Sequence, residues 1–556
     1  MSGYYRTLLP NNVYDAVWLG IPAFFAYYSL LIIYRLYLSP LANIPGPKTA
    51  GMCGLIKNTK SSRSYVVAMT ELYAFYHDVY RGGRYVWVVE QMHKRYGEPR
   101  VSLLELTKVL TSELVGPVVR IRPNTVHMND AKFLDQVYGL PGKRRDKSKS
   151  QCNSMMTPGA FVATADHELH RRRRAPMSSF FSKQSVNRLE PFIQEALGKT
   201  FLRFQQHATA GTPIRLRILF TAATSDIIKY YSFGKSRNSL DAADLEEPFY
   251  DAMTSGKMVH VSSYIPWFTK IFTTLPSTVV IWLEPKMKHM LPFFMDLETR
   301  LKEISSSKQD ESNPTIMPAL INSTLPDSEK SPDRLFSEAR VILFAGTDTT
   351  ATAMSNIFYH LLSTPECLRK LKAELEGVMP NIHSTPDSSQ LQRLPYLSAV
   401  IQETLRLHPP GAMRQERVAP DEDIILNTDS GKHFRIPAGT VMGMTAPLLA
   451  KDESLFPRPS EWRPERWIEN PNIDKDLLTW SRSSRICLGM NLANAELYVF
   501  IAGIFRRYDL YDGTGKQTVP TLELYETKWE DICMVAEHAT AYTRDGSYGV
   551  RVMVRE

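Results

Sequence analysis

The sequence predicts a mainly α-helical protein with small β-sheets, preceded by one N-terminal transmembrane helix. Three stretches lead to this fold class. An uncharged hydrophobic run extends from Ala16 to Tyr34. A long helix is expected to begin at Ser331-Pro332-Asp333 and to end near Ser363, because serine caps helices and proline is favoured at their first position. An amphipathic helical pattern runs from Met490 to about Tyr508.

The hydrophobic run comes first in the chain. Its nineteen residues would span roughly 28 Å as a helix, which is enough to cross a bilayer core. A cleaved signal peptide is the alternative, but it would normally have a shorter apolar core and a small-residue cleavage site. The basic residues that follow the run place the rest of the chain in the cytosol by the positive-inside rule; they are Arg35, Lys48, Lys57, Lys60 and Arg63.

The prolines Pro40, Pro45 and Pro47 follow the span and cannot continue a helix. We therefore expect a membrane anchor over residues 1–37 and a stiff elbow over residues 38–50. Length alone suggests two or three domains. A polar stretch from Ser305 to Asp333 is predicted to be a surface loop, broken by a short helix near Thr315–Asn322.

Composition limits the possible partners and cofactors. The chain has 556 residues, 43% of them hydrophobic, and a net charge of +8. This basic excess suits an anionic membrane surface or an acidic protein partner and is too diffuse for nucleic acid. The five cysteines are scattered, which argues against a disulfide framework and a structural zinc site. No glycine-rich nucleotide-binding motif occurs, so a partner must deliver any electrons.

Cys487 is the strongest candidate for a site residue. It lies in Trp480-Ser-Arg-Ser-Ser-Arg485-Ile-Cys487-Leu-Gly489, directly before the last predicted helix. The positive end of that helix and Arg485 would stabilise a thiolate, and Gly489 would let the backbone approach whatever the sulfur binds. A haem iron held by one cysteine needs such a loop. A buried, inert cysteine is the alternative.

The long helix has an oddly polar centre, Phe344-Ala-Gly-Thr-Asp348-Thr349-Thr350. Threonine hydroxyls that bond back to the i−4 carbonyl can bend or open a helix. A gap there could hold dioxygen, with Thr349 as hydrogen-bond donor and Asp348 as proton relay. The alternative is a polar stripe that faces solvent.

Two further segments contain charged residues that could form a buried ion-pair network or bind an anionic group. Glu403 and Arg406 share one helix face, and Arg466 could complete a buried Glu–Arg–Arg network. Exposed helix pairs are the alternative. The run from His170 to Arg174 could place guanidinium groups on haem propionates, or it could be a targeting patch or a solvated face. His167 lies only three residues before His170, so we reject a zinc-protease site.

These segments, in this order, resemble the cytochrome P450 family from Pro45 to the C-terminus. The resemblance implies that residues 51–556 form the haem domain. It also implies that Cys487 is the axial thiolate of haem b, that Asp348 and Thr349 activate oxygen, and that Glu403, Arg406 and Arg466 brace the fold. The implied partners of the haem propionates are His170, Arg174, Arg417 and Arg485.

The chain departs from the family pattern at two positions of the cysteine loop, where Trp480 replaces the usual Phe and Ser483 the usual Gly. The serine would cost about 1 kcal/mol if its φ is positive. The residues from Glu98 to Val115 separate two segments that are nearly adjacent in the family. We interpret 98–115 as an insertion, for which translated intron sequence is one explanation.

Within the family, the anchor, the elbow and the segment from Asp166 to Arg174 resemble filamentous-fungal microsomal enzymes. This resemblance suggests trichodiene oxygenase and other terpenoid-tailoring members. The resemblance implies a monooxygenase of secondary metabolism on the cytosolic face of the endoplasmic reticulum. Its reactants would be O2, electrons from NADPH–cytochrome P450 reductase and a hydrophobic small molecule.

Surfaces and alternative activities complete the expectations. Substrate would enter near Tyr264–Phe272 and Val279–Leu283, both expected to face the membrane, and Arg171–Arg174 with Arg482 would form a basic docking face for the reductase. An isomerase or dehydratase with the same fold and no O2 activation is one alternative. A catalytically silent, membrane-tethered haem protein is the other.

Overall fold

A computed structural model describes residues 13–46, 70–96, 116–235, 238–253, 256–306, 314–384, 386–429 and 431–556. Contacts between Cα atoms divide the chain into two units. The first comprises Met1–Arg81, Trp87–Asn129 and Val418–Gly443, and the second comprises Gly82–Val86, Asp130–Arg417 and Met444–Glu556. The expected insertion at 98–115 lies outside the described residues. So do Pro47, Lys48, Lys57, Lys60 and Arg63.

Helices account for most of the described secondary structure, and the prediction of a mainly helical fold with small sheets is confirmed. The helices are α1 Val13–Ile33, α2 Thr70–Phe75, α3 Tyr85–Tyr96, α4 Leu134–Tyr138, α5 Lys149–Ser154, α6 His167–Ser178, α7 Lys183–Ala210, α8 Leu216–Phe233, α9 Glu247–Met253, α10 Lys257–Tyr264, α11 Phe268–Thr274, α12 Ser277–Leu283, α13 Met287–Ser306, α14 Ile316–Ile321, α15 Pro332–Ser363, α16 Pro365–Val378, α17 Ser388–Leu391, α18 Pro395–Leu407, α19 Ala446–Leu449, α20 Glu465–Glu469 and α21 Met490–Arg507.

The strands are short. They are β1 Val118–Arg122, β2 Thr125–Met128, β3 Ile214–Arg215, β4 Gln415–Val418, β5 Ile424–Asn427, β6 His433–Ile436, β7 Val441–Met444, β8 Asp509–Leu510, β9 Thr521–Leu524, β10 Ala536–His538, β11 Thr540–Tyr542 and β12 Arg551–Arg555. In the first unit, β1 pairs antiparallel with β2, β2 pairs parallel with β7, and β5 pairs antiparallel with β6. In the second, β3, β12, β9 and β8 form one sheet, and β10 pairs with β11.

The N-terminal helix α1 continues into a π-helical turn, Tyr34–Leu38. The window Ile21–Leu38 is long and apolar enough to cross a membrane, and none of it is buried among the described residues. This agrees with the expected transmembrane helix. The elbow packs on β1, where the Arg120 amide donates to the Pro45 carbonyl at 2.8 Å. A Cβ on Gly46 would lie 2.4 Å from the Arg120 carbonyl oxygen, so this contact requires glycine.

The core of the second unit is built around α15, which packs against α8 and α21. The helix begins at Pro332 with Ser331 at its N-cap, as the sequence predicted. Gly346 lets the two helices approach closely, because a Cβ there would lie 2.8 Å from Cγ1 of Ile228 on α8. The predicted short helix is α14, and its residues Ile316, Met317 and Leu320 are buried in this core.

Candidate active site

Cys487 ends a tight loop that precedes α21. The loop contains a 3₁₀ turn, Ser483–Arg485, and is closed by a 2.8 Å hydrogen bond from the Cys487 amide to the Trp480 carbonyl. The thiol is exposed to an internal cavity, while the surrounding protein desolvates it. Burial raises the pKa of the Cys487 thiol, and the amides of Gly489 and Met490 together with Arg174 oppose that rise. A bound metal cation would shift the balance to the thiolate.

The loop adopts left-handed backbone conformations at two non-glycine residues. Ser481 has φ 61° and Ser483 has φ 57°. A residue with a side chain pays about 1 kcal/mol in this region. Ser483 therefore carries the backbone cost that its departure from the family pattern suggested.

The cavity beside the thiol has a volume of about 310 Å³. The central part of α15 forms one wall with Val341, Ile342, Ala345 and Gly346, and further apolar side chains complete the surface; they are Phe161, Val162, Phe181, Ile228, Trp480, Leu488 and Leu492. Because the walls are largely apolar, the cavity suits a flat hydrophobic group or ligand.

A cluster of basic side chains lies at the polar part of this cavity. His170 on α6, Arg417 on β4 and Arg485 in the cysteine loop all line the cavity and are buried. Each has one nitrogen with no hydrogen-bond partner among the described residues, namely Nδ1 of His170 and Nε of both arginines. Unpaired buried nitrogen atoms of this kind favour binding of an anion.

The remaining bonds of the arginines fix their positions. Arg485 donates to the carbonyls of Thr164 and Ala165, each at 2.7 Å. Arg417 donates to the Glu416 carbonyl at 2.8 Å and to the Ser481 hydroxyl at 3.1 Å. Their guanidinium planes are therefore oriented by the protein itself, with one N–H of each left for a ligand.

Arg174 also lines the cavity, but it donates its hydrogen bond to the backbone of the cysteine loop. Its Nη1 donates to the carbonyl of Ile486, the residue before Cys487. Arg174 thus contacts the segment that carries the thiol, and its charge lies close enough to lower the pKa of Cys487. The other members of the arginine run point elsewhere: Arg173 pairs with Glu329 at 2.6 Å, and Arg171 pairs with Glu168 at 2.9 Å.

Two polar residues at the centre of α15, Asp348 and Thr349, have different surroundings. The Thr349 hydroxyl donates to the Ala345 carbonyl at 2.8 Å, and Thr349 lines the cavity. Asp348 is absent from the cavity lining and forms an ion pair with Arg217 on α8. The threonine back-bonds are present, yet α15 is helical without interruption from Pro332 to Ser363. The structure thus places the two predicted catalytic residues on different faces of one helix.

Glu403, Arg406 and Arg466 lie together in a buried network. Arg406 donates to both carboxylate oxygens of Glu403, at 2.8 and 2.9 Å, and Arg466 donates to it at 3.0 Å. The indole of Trp467 and the Arg463 amide also donate to this carboxylate. Arg406 further donates to the carbonyls of Ala450 and Pro459, so the network connects α18 to the segments around α19 and α20.

Sequence reasoning missed several residues at this site. Lys147 lines the cavity beside Arg417 and Arg485, and burial together with these two charges lowers its pKa to about 7. Glu496 on α21 is buried in the cavity wall with one oxygen unpaired among the described residues, and burial raises its pKa well above the usual value. Arg217 pairs with Asp348. None of the three belongs to a recognisable motif.

Comparisons with known proteins agree with these features. The family model for cytochrome P450 matches residues 86–527. The chain is 35% identical to the cytochrome P450 monooxygenase tpcC of Cochliobolus heterostrophus, over 95% of each chain. It is 33% identical to the monooxygenase astB of Talaromyces wortmannii, over 95% of this chain and 96% of the relative. It is 32% identical to the monooxygenase TRI4 of Fusarium sporotrichioides, over 93% of this chain and 91% of the relative.

The cavity with its cysteine thiol, the family match and the relatives all indicate the same family. The chain belongs to the cytochrome P450 family of monooxygenases, enzymes that carry a thiolate-ligated haem, use O2 and receive electrons from a redox partner.

Proposed function

We propose that this protein is a membrane-anchored monooxygenase in which Cys487 is the axial ligand of haem b and which oxidises a hydrophobic small molecule. One observation carries the proposal. A thiol faces a largely apolar cavity that also holds three basic side chains, each with a nitrogen atom that has no partner in the described part of the chain. A porphyrin with two carboxylates and an iron requires this combination of a sulfur donor, apolar walls and cationic partners.

The residues present fit the haem group. The unpaired nitrogens of His170, Arg417 and Arg485 would hold the propionates, and Arg174 would position the cysteine loop through the Ile486 carbonyl. When bound, the haem supplies the activation of O2, and the thiolate favours O–O cleavage. The amides of Gly489 and Met490 stabilise negative charge on the sulfur.

Protons would come through the polar centre of α15. Thr349 holds a hydroxyl proton at the cavity wall, and Asp348 lies one residue away, partly accessible and paired with Arg217. Because the aspartate contacts Arg217 outside the cavity, it must leave or share this partner to pass a proton toward Thr349. We propose Thr349 as the donor at the site and Asp348 as the relay.

The substrate is proposed to be a terpenoid-type secondary metabolite. The largely apolar lining of the cavity suits a hydrophobic molecule with few polar groups. The relatives named above are fungal cytochrome P450 monooxygenases, and the sequence itself resembles the terpenoid-tailoring members of the family. The proposed electron source is NADPH–cytochrome P450 reductase.

Membrane attachment rests on two separate features. The window Ile21–Leu38 has the length and hydropathy of a span. In the second unit, large apolar side chains of α11, α12 and the residue before α11 are exposed; they are Trp267 at 62%, Ile271 at 49%, Trp282 at 79% and Leu283 at 52%. Exposed aromatic and aliphatic side chains on two consecutive helices suit a lipid interface. We propose a single-pass protein of the endoplasmic reticulum with its catalytic part in the cytosol.

The proposed docking face for the reductase contains fewer exposed arginines than the run Arg171–Arg174 suggested. Arg171 and Arg172 are exposed, whereas Arg173 and Arg174 are engaged in the contacts described above. Arg482 lies 3.8 Å from Asp135 and keeps partial exposure. Exposed charges are screened by salt, so reductase-supported turnover should weaken as ionic strength rises.

A carbon-monoxide difference spectrum of the reduced protein tests the proposal. The wild-type protein should show the band that gives the family its name, and Cys487→Ala should abolish it. Cys533→Ala serves as the matched control and should keep the band, because that thiol lies outside the cavity lining. A wild-type protein without the band, or a Cys487→Ala variant that keeps it, would contradict the assignment. Oxygen uptake with reductase and NADPH separates a monooxygenase from an isomerase.

A further inference from the structure

Residues 157–164 form an irregular segment just before α6. We call this segment the rim segment. It contains a single 3₁₀ turn, Phe161–Ala163. Phe161 and Val162 lie side by side in the cavity wall, and the Phe161 ring lies 5.8 Å from the ring of His170. The shape of the cavity next to the basic cluster therefore depends on where the rim segment is held.

Two ionisable side chains hold the backbone of this segment at adjacent residues. The Phe161 amide donates to the Glu338 carboxylate on α15, at 3.2 and 3.3 Å. The Lys147 ammonium donates to the Val162 carbonyl at 2.7 Å. The backbone of both cavity-lining residues is thus held by an ionisable side chain, and each bond is strongest when that side chain is charged.

Both side chains are buried, with Glu338 at 0% exposure and Lys147 at 9%. A buried charge is costly unless it is paired and hydrogen-bonded. Glu338 lies 3.0 Å from Arg334, which also contacts Glu329, and burial raises the pKa of Glu338 to about 7. Because both side chains hydrogen-bond to adjacent residues of the rim segment, their positions favour a role in holding it.

We propose that Glu338 and Lys147 are positioning residues that fix Phe161 and Val162 as one wall of the substrate cavity and so determine which ligand shapes the enzyme accepts. This inference rests on the proposed function, because it assumes that the cavity receives the substrate. It assigns to Glu338 an effect that acts through the backbone of the rim segment and involves no contact with substrate.

Hydrogen–deuterium exchange of the peptide that contains Phe161 tests the bond directly. In Glu338→Ala the Phe161 amide loses its acceptor and should exchange about tenfold faster than in the wild type. Glu338→Gln retains a carbonyl oxygen in the same place and should restore most of the protection. Asp333→Asn, which removes an exposed carboxylate from the first turn of the same helix, is the matched control and should leave exchange unchanged.

A second measurement connects the rim segment to selectivity. Alkyl- and arylimidazoles of increasing size are titrated into the holoenzyme, and binding is followed by the change in its absorption spectrum. The ratio of affinities for the largest and smallest imidazole should change about tenfold in Glu338→Ala and Lys147→Met, and should return toward the wild-type ratio in Glu338→Gln and Lys147→Arg.

The outcomes separate the two proposals. Unchanged exchange at Phe161 in Glu338→Ala overturns the inference, as does an unchanged affinity ratio in variants that keep the carbon-monoxide band. If Glu338→Ala does not fold, Lys147→Met and Lys147→Arg decide the question by the affinity ratio. A wild-type protein without the carbon-monoxide band refutes the proposed function, and exchange at Phe161 then still decides whether Glu338 holds the rim segment.

Discussion

Thr349 and Asp348 are adjacent in sequence and differ in what surrounds their side chains. Thr349 faces the cavity, whereas Asp348 is held by Arg217 from the neighbouring helix. A proton route through these residues thus has a step at Arg217 that the motif alone does not contain. Single substitutions of Thr349 or Asp348 can therefore separate proton delivery from haem binding.

We predict that Thr349→Ala keeps its haem and diverts NADPH electrons to peroxide, because the cavity loses the hydroxyl that would supply the proton. The ratio of product to NADPH consumed should fall about tenfold, consistent with the range for loss of one acid–base group. Parallel assays of NADPH oxidation, peroxide and product measure this ratio.

Thr347→Ala is the matched control for that experiment. Its hydroxyl donates to the Leu343 carbonyl at 2.6 Å and lies outside the cavity lining. Coupling should therefore stay near the wild-type value. Equal losses in both variants, or an unchanged ratio in Thr349→Ala, would contradict the assigned role.

Glu403 lies at the centre of a buried hydrogen-bond network. Its carboxylate accepts hydrogen bonds from Arg406, Arg466 and Trp467 in a fully buried site. We predict that Glu403→Gln lowers the free energy of unfolding by about 3–5 kcal/mol, because it leaves two buried arginines without their counter-charge. Thermal or denaturant unfolding at matched haem content measures this loss.

Glu376→Gln provides the control on an exposed face of α16. Surface substitutions of this type usually change stability by no more than about 0.5 kcal/mol. A Glu403→Gln variant that is as stable as this control would show that the network does not brace the fold.

At the scale of elements, the contact between α15 and α8 determines how closely the long helix approaches the cavity wall. Gly346 permits the approach, and the Thr224 hydroxyl of α8 donates to the Thr347 carbonyl at 2.7 Å. The two helices therefore share both an apolar contact and a polar contact within one turn of α15. The α15 segment that carries Thr349 is positioned by this packing.

We predict that Gly346→Ala destabilises the protein by about 1–3 kcal/mol, because its Cβ would overlap Ile228 and overpacking costs that much. The loss should be smaller when Ile228→Ala is also present, since this substitution removes the contacting atom. Gly377→Ala on α16 has open space around its Cβ and should gain up to about 1 kcal/mol from helix propensity. Unfolding midpoints of Gly346→Ala, Ile228→Ala, the double variant and Gly377→Ala test this; a tolerated Gly346→Ala would contradict it.

For the molecule as a whole, buried histidines link stability to pH. His360 and His408 are buried, and their Nε2 atoms lie 3.0 Å apart. Burial and the nearby Arg406 lower the pKa of His408 to about 3, and burial lowers the pKa of His360 well below its ordinary value. Both rings are therefore neutral in the folded protein at neutral pH.

We predict that acidification from pH 7 to pH 5 destabilises the fold through this pair. The unfolded chain binds protons on histidine below about pH 6.5 and the folded chain does not, so stability falls as pH falls, by about 2 kcal/mol per histidine at pH 5. His408→Gln should lose about 2 kcal/mol less than the wild type over this interval. Denaturation midpoints at the two pH values measure the difference, and parallel declines would contradict the prediction.

The sequence by itself determined the features that depend on neighbouring residues. The N-terminal span, the start of α15 at Ser331 and Pro332, the helix after Cys487 and the cysteine loop all follow from local composition and spacing. These patterns act over a few turns of chain, so no knowledge of packing was needed to find them. The family resemblance follows from the same local motifs.

Only the tertiary structure decided how charges from distant segments meet. It paired Asp348 with Arg217, buried Lys147 beside Arg417, placed Glu338 on the Phe161 amide and left Glu496 in the cavity wall. The ionisation and the role of a charged side chain depend on desolvation and on partners brought from elsewhere in the chain. These surroundings exist only after the helices have packed, which is why motif spacing could not reveal them.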